Sequence, residues 1–281
     1  MTIQDVKIEF QSKLNNIYSE KECKSFCNLL LEYIGFSQST CVISPHVKLS
    51  DNHVKLCSDV IARLQKQEPI QYILGYADFY GLQFHVDSSV LIPRQETELL
   101  VHTIIKKHAS RSEVILDLCT GSGCIAVALA YNLFRAQVYA LDVSADALLC
   151  AERNAQKHNT SVRSLHNDLL SADVVDVLPE CSVIVSNPPY VRQSEKEYMH
   201  KNVLDYEPDL ALFVSDTHPL LFYDAIADVG QVQLIRNGHL YCEINEALGK
   251  DVVQLFKHKG YKEVQLIPDL HEKNRFVHAL K

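Results

Sequence analysis

Residues 114–126 read V-I-L-D-L-C-T-G-S-G-C-I-A, an apolar run that breaks into glycines. Gly121-x-Gly123-x-x-Ala126 fits the fingerprint of a nucleotide-binding turn between a strand and a helix. Asp142 follows 21 residues after Gly121, where an acid accepts hydrogen bonds from the hydroxyls of an adenosine ribose. Taken alone, the pattern suits a nicotinamide dinucleotide, or a glycine turn that holds nothing. Asp117, four residues before Gly121, separates the cases. A carboxylate at the loop mouth repels a pyrophosphate approaching a helix N-terminus. It attracts the ammonium and sulfonium of S-adenosyl-L-methionine, which has no phosphate. The loop is therefore expected to hold S-adenosyl-L-methionine and to release S-adenosyl-L-homocysteine.

A second constellation is Asn187-Pro188-Pro189-Tyr190, directly after the apolar run Val183 to Ser186. Two prolines fix φ and remove two N–H donors, leaving a stiff corner rich in acceptors. In an open α/β sheet, ligands sit beyond the carboxyl ends of the strands, which places this corner beside the glycine loop. The Asn187 side-chain oxygen and the Pro188 carbonyl are matched to the two hydrogens of one planar –NH₂ group, and the Tyr190 ring to its face. An amide or exocyclic amine nitrogen is a poor nucleophile because its lone pair is delocalised. Acceptors on both hydrogens localise that pair toward a methyl donor. The plainer alternative is a Pro-Pro turn with Tyr190 packed on the surface.

These residues must be positioned by a folded scaffold. The chain has 281 residues, a prior of roughly two domains at about 150 residues each. Its 47% hydrophobic content leaves no room for a long disordered tail. Lys+Arg is 27 against Asp+Glu 35, a net charge of −8, which lowers the odds of a surface gripping many phosphates. The longest apolar run, Cys124 to Tyr131, is far short of the ~18 residues of a membrane span. No basic region followed by an apolar core opens the chain, so a cytoplasmic location is expected. Nine cysteines, none in a C-x-x-C pair and none with zinc spacing, read as small buried hydrophobes in a reducing compartment. No metal site is expected.

Residues 1–75 read as helices. Val6, Phe10, Leu14 and Ile17 recur at helical spacing, as do Cys23, Phe26, Leu30 and Ile34, and then Val54, Cys57, Ile61 and Leu64. Residues 76–95 read as a β-hairpin linker, with strands at Leu82–Val86 and Val90–Ile92 around a D-S-S turn and Pro93 closing it. From 96 to 281 strands and helices alternate, the mark of βαβ units and a mostly parallel sheet. The last two strands, near 261–267 and 275–280, lack an intervening helix and are expected to pair antiparallel at an edge.

At the level of whole motifs, the chain resembles class I S-adenosylmethionine methyltransferases, and more narrowly the release-factor glutamine methyltransferase (PrmC/HemK) family. The resemblance spans E-P-I-Q-Y-I-L-G at 68–75, F-Y-G-L-Q-F-H-V at 79–86 and V-L-I-P-R-Q-E-T-E at 90–98. It continues through D-L-C-T-G-S-G at 117–123, V-S-N-P-P-Y at 185–190 and Y-E-P-D-L-A-L at 206–212. It implies an α/β fold: a Rossmann-like, mostly parallel seven-stranded sheet with an antiparallel edge, plus the N-terminal helical domain and hairpin. It implies methyl transfer to the glutamine side-chain amide of a Gly-Gly-Gln loop in bacterial peptide chain release factors. By position it assigns the cofactor to Asp117, Cys119, Thr120, Gly121, Ser122, Gly123, Asp142, Asp168, Leu169 and Asn187. Catalysis falls to Asn187, Pro188 and Tyr190, and the substrate amide to Asn187, Pro188, Pro189 and Tyr190. The helical domain is assigned to docking the release factor.

Four positions depart from the family pattern: Cys119 and Asn245 stand for glycines, Gln95 for a proline, and Leu169 for an aromatic beside the adenine. Glu207-Pro208 reads either as part of the site or as a turn, and Glu195 and Glu197 as a solvated face. The 13 histidines show no triad or ligand spacing. An adenine amino-methyltransferase acting on DNA or RNA also fits N-P-P-Y, but neither a basic cleft nor a target-recognition insert is visible. A binding module that had lost its chemistry would show a broken loop or corner. No membrane partner and no direct nucleic-acid partner is expected.

Overall fold

A computed structural model describes residues 1–269 and 271–281. It divides into two units, one of residues 1–75 with 200–206, the other of 76–199 with 207–281.

The first unit is helical: α1 (Ile3–Leu14), α2 (Glu20–Tyr33), α3 (Gln38–Ile43), α4 (Asp51–Leu64) and α5 (Ile70–Leu74). Thr2, Ser19, Ser37 and Ser50 cap the first four through their hydroxyls, as small polar residues do at helix starts. Val6, Phe10 and Leu14 are buried on α1, Cys23, Cys27 and Leu30 on α2, and Cys57, Ile61 and Leu64 on α4. Ile17 does not join this face. It lies beyond the end of α1 and is 41% exposed. The Tyr206 hydroxyl donates to the Lys66 carbonyl at 2.8 Å, tying the 200–206 segment to this unit.

The second unit opens with a hairpin, β1 (Tyr76–Phe79) and β2 (Leu82–His85), paired Tyr76 to His85 through Phe79 to Leu82. The strand expected at Leu82–Val86 is β2, but its partner is β1 before it and not Val90–Ile92 after it. Tyr80-Gly81 is the turn, both residues at positive φ, and Val90–Ile92 is irregular. The hairpin belongs to this unit rather than standing as a separate linker.

Then follow α6 (Gln95–His108), β3 (Val114–Leu118), α7 (Cys124–Asn132), β4 (Gln137–Asp142), α8 (Ala145–Lys157), β5 (Val162–His166), α9 (Val174–Val177) and β6 (Cys181–Ser186). Next come short elements: β7 (Val191–Arg192), α10 (Lys201–Leu204, in the first unit), α11 (Asp209–Leu212) and β8 (Phe213–Val214). The chain closes with α12 (Leu221–Gln233), β9 (Leu234–Glu243), α13 (Gly249–His258), β10 (Lys262–Pro268) and β11 (Asn274–Leu280). Asn237-Gly238 lies inside β9 as an irregularity, Asn237 at φ 62°, and the register against β6 shifts there.

Seven strands form one sheet in the order β10-β11-β9-β6-β3-β4-β5. The pairs β3–β4, β3–β6, β4–β5 and β6–β9 are parallel, and β11 runs antiparallel to both β9 and β10. Apolar clusters containing Leu116 and Tyr223 on one side, and Ile115 and Val127 on the other, bury the central strands on both faces. The strand order reverses at β3, between β4 and β6, and the crevice beyond their carboxyl ends is where such sheets bind ligands.

Candidate active site

That crevice contains a cavity of about 260 Å³. Cys119, Thr120, Gly121 and Ser122 from the β3–α7 loop line it, with Asp142 from the end of β4, Asp168 and Leu169 after β5, and Asn187 and Pro189 after β6. Four anticipated residues lie off this wall: Asp117, Gly123, Pro188 and Tyr190. Thr97, Arg94, Asn167, Asp146 and Phe222 line it without having been singled out in the sequence.

Asp117 sits beneath the loop rather than at its mouth. It is 0% exposed, and its Oδ2 accepts from the Thr120 hydroxyl at 2.6 Å and from the Ala126 amide at 3.2 Å. It thus fastens the loop to the first turn of α7. Its Oδ1 is buried without a partner, and burial raises its pKa to about 7. Asp142 bridges the loop to the next helix, Oδ2 accepting from Gly121 N at 2.8 Å and Oδ1 from Ser144 N at 2.9 Å. Burial raises its pKa as well, against these backbone donors.

Gly121 and Gly123 hold φ of 54° and 76°, and Cys119 holds 61°. A Cβ on Gly123 would lie 2.8 Å from Ala151 Cβ on α8, so this glycine is required by both backbone and space. Burial holds the Cys119 thiol well above the ordinary thiol range, leaving it protonated and a poor nucleophile.

Behind Asn187 is a polar group that no motif announced. Glu243, the last residue of β9, is 1% exposed. It accepts from the Tyr190 hydroxyl at 3.1 Å and from the Thr97 hydroxyl at 2.6 Å, while Asn187 Nδ2 donates to Thr97 Oγ1 at 3.4 Å. The Tyr190 hydroxyl is therefore an anchor, a role its sequence context did not show. Glu207, read as site or turn, is a buried brace: it accepts from Ile92 N at 3.1 Å and from Arg94 at 2.7 Å, fixing the segment that brings Arg94 to the cavity. Glu195 is not simply solvated. It accepts from Arg192 and from Asn245, and Asn245 also donates to the Tyr190 carbonyl at 3.2 Å. Asn245, where the resemblance implies a glycine, thus supports the N-P-P-Y corner. Glu243 escaped the sequence because it lies 53 residues along the chain from Tyr190, with no local pattern to mark it.

A doubly covered sheet of this order, with a glycine loop after β3, an acid ending β4 and an Asn-Pro-Pro-Tyr corner after β6, defines a class I methyltransferase. Family models for the methyltransferase small domain and the PrmC N-terminal domain match residues 94–205 and 6–75. A release factor glutamine methyltransferase of Flavobacterium psychrophilum is 43% identical over 282 residues, 99% of this chain and 98% of that one. Its counterpart in Bacteroides thetaiotaomicron is 41% identical over 270 residues, 96% of each chain. The crystal structure of a methyltransferase from Pyrococcus furiosus, 20% identical, shares the fold with a TM-score of 0.53 over 80% of this chain and 98% of that one. The chain belongs to the release factor glutamine methyltransferase family. Among the described residues no helix is long and apolar enough to cross a membrane, and no group of His, Cys, Asp or Glu is arranged to hold a metal.

Proposed function

We propose that the protein transfers a methyl group from S-adenosyl-L-methionine to the side-chain amide nitrogen of the Gly-Gly-Gln glutamine of peptide chain release factors, in the cytoplasm. The observation that carries this reading is that Asn187 and Pro189 share one cavity wall with the glycine loop and Asp142.

The residues present fit the cofactor. Leu141, Val143 and Leu169 give the cavity an apolar side suited to an adenine, and Asp142 is placed for the ribose hydroxyls. Asp117 holds the loop from beneath through Thr120 and Ala126, and so keeps the loop residues that line the cavity in place. When bound, S-adenosyl-L-methionine supplies an electrophilic methyl carbon.

The chain's own part is orientation. Asn187 Oδ1 and the Pro188 carbonyl accept the two hydrogens of the glutamine amide and localise its nitrogen lone pair. Pro188 and Pro189 hold these acceptors stiffly, and the Tyr190 ring limits tilt of the amide. Orientation of this kind contributes up to ~7–11 kcal/mol to lowering a barrier. Residues 1–75 serve to dock the release factor.

Mass spectrometry of release factor incubated with the enzyme and methyl-labelled cofactor tests the proposal. One labelled methyl on the glutamine of the Gly-Gly-Gln loop is the expected result. Label on DNA or RNA adenine, with none on the release factor, would replace the substrate assigned here.

A further inference from the structure

The buried carboxylate behind the corner does more than fill space. A threonine hydroxyl has one proton to give. Thr97 gives its proton to Glu243 Oε2, so its oxygen can only accept on the remaining side, where it meets Asn187 Nδ2. The donor and acceptor of an asparagine amide sit on opposite branches of one plane. Holding Nδ2 inward therefore turns Oδ1 away from Thr97. Among the described residues nothing donates to Asn187 Oδ1. Asn187 and Thr97 line the cavity, whereas Glu243 does not.

We infer that Glu243 is a positioning residue for methyl transfer: through Thr97 it sets the flip of the Asn187 amide, so that an acceptor and not an –NH₂ meets the hydrogens of the substrate amide. The inference rests on the reading of Asn187 given above. Its second arm is the Tyr190 hydroxyl on Glu243 Oε1, which keeps both carboxylate oxygens occupied by donors. The opposite flip would set –NH₂ against –NH₂ and leave the substrate nitrogen without one of its two acceptors.

The isosteric change Glu243→Gln reverses the relay. A phenol donates better than an alcohol and accepts worse, so the new amide places its oxygen on Tyr190 and its –NH₂ on Thr97. The proton of the buried Thr97 then loses its acceptor at Glu243, and it is paired again only when Asn187 turns its oxygen inward. For Glu243→Gln, kcat is expected to fall about 10²-fold, with KM for release factor and calorimetric Kd for S-adenosyl-L-methionine nearly unchanged. Thr97→Val removes the relay without reversing it and is expected to cost less. The double variant is expected to return to the Thr97→Val level, within about twofold. A purely structural role predicts instead a double variant worse than either single one, and that outcome would overturn the inference, as would wild-type kcat in Glu243→Gln. Should Glu243→Gln not fold, Thr97→Ser against Thr97→Val carries the same test: serine keeps the hydroxyl and restores kcat, and equal rates sink the idea. Asn187→Ala separates the two levels. If it is inactive while Glu243→Gln is normal, only the positioning role fails. If it is fully active, the reading of Asn187 fails first.

Discussion

Cys119 holds a φ of 61°, a conformation that costs an L side chain about 1–2 kcal/mol and glycine almost nothing. Its side chain packs against the core cluster on one face of the sheet, which offsets part of that cost. Two substitutions separate these effects. Cys119→Gly relieves the backbone and loses the packing, and is expected to lie within about 0.5 kcal/mol of the parent in urea denaturation. Cys119→Ala keeps the strain and loses the sulfur, and is expected to be less stable by about 1 kcal/mol. Alanine matching or exceeding glycine would mean that the left-handed backbone is not strained. At this scale the sequence was legible where residues are neighbours, since the loop and the corner are continuous strings. Thr97 and Glu243 were illegible, and Glu207 was readable only as site or turn. Each acts across more than 100 residues or through another side chain, and a buried acid carries no local pattern of its own.

Between elements, the joint that matters most to the site is Asn154 on α8. Its Oδ1 accepts from His85 N at 2.6 Å, and its Nδ2 donates to the carbonyls of His85 at 3.0 Å and Ser122 at 2.9 Å. One buried amide thus joins the end of β2, α8 and the glycine loop. Asn154→Leu takes the donor from the buried Ser122 carbonyl, and a buried carbonyl left unpaired costs about 1–3 kcal/mol. Cofactor affinity by calorimetry is expected to fall together with stability, because the Ser122 carbonyl belongs to the loop. Retained affinity with lost stability would show that the loop does not depend on this joint. Gly123→Ala attacks the same junction from the other side. It combines a positive φ with a 2.8 Å approach to Ala151, and is expected to destabilise by about 2–5 kcal/mol. A urea midpoint equal to that of the parent would mean that α8 can shift to admit a methyl group. The alternation of strands and helices was readable because the central strands are apolar runs flanked by turn residues. The partner of the Leu82 strand was misassigned because Val90 and Ile92 are buried without being strand. Periodicity reports burial, and only pairing makes a strand.

Across the whole catalytic unit, two sets of buried titratable groups pull stability in opposite directions with pH. Near the α6 end of the sheet, His239 Nδ1 and His278 Nε2 are 2.9 Å apart, and His108 pairs with Glu113 at 2.7 Å and reaches the Tyr241 hydroxyl. Burial and then the nearby Lys107 push His239 down to about 3 and His278 to about 4, and burial also lowers His108. These groups bind protons more readily in the unfolded chain. Their stability is present above the ordinary histidine range and is lost as pH falls through it. At the site end the sign reverses. Burial raises Asp117 to about 7, and raises Asp142 and Glu243 also, so the folded protein holds those protons more tightly. Their contribution is present at low pH and is lost as pH rises toward 7. The two windows overlap between about pH 4 and pH 6.5, so the parent's stability should vary little there. Removing one arm exposes the other. Asp117→Asn is expected to make urea midpoints climb more steeply with pH across that window, and His239→Phe to make them climb less or fall. Midpoints whose pH dependence matches the parent's in both variants would show that neither cluster is held away from its ordinary titration, and that the pH response of this fold lies elsewhere.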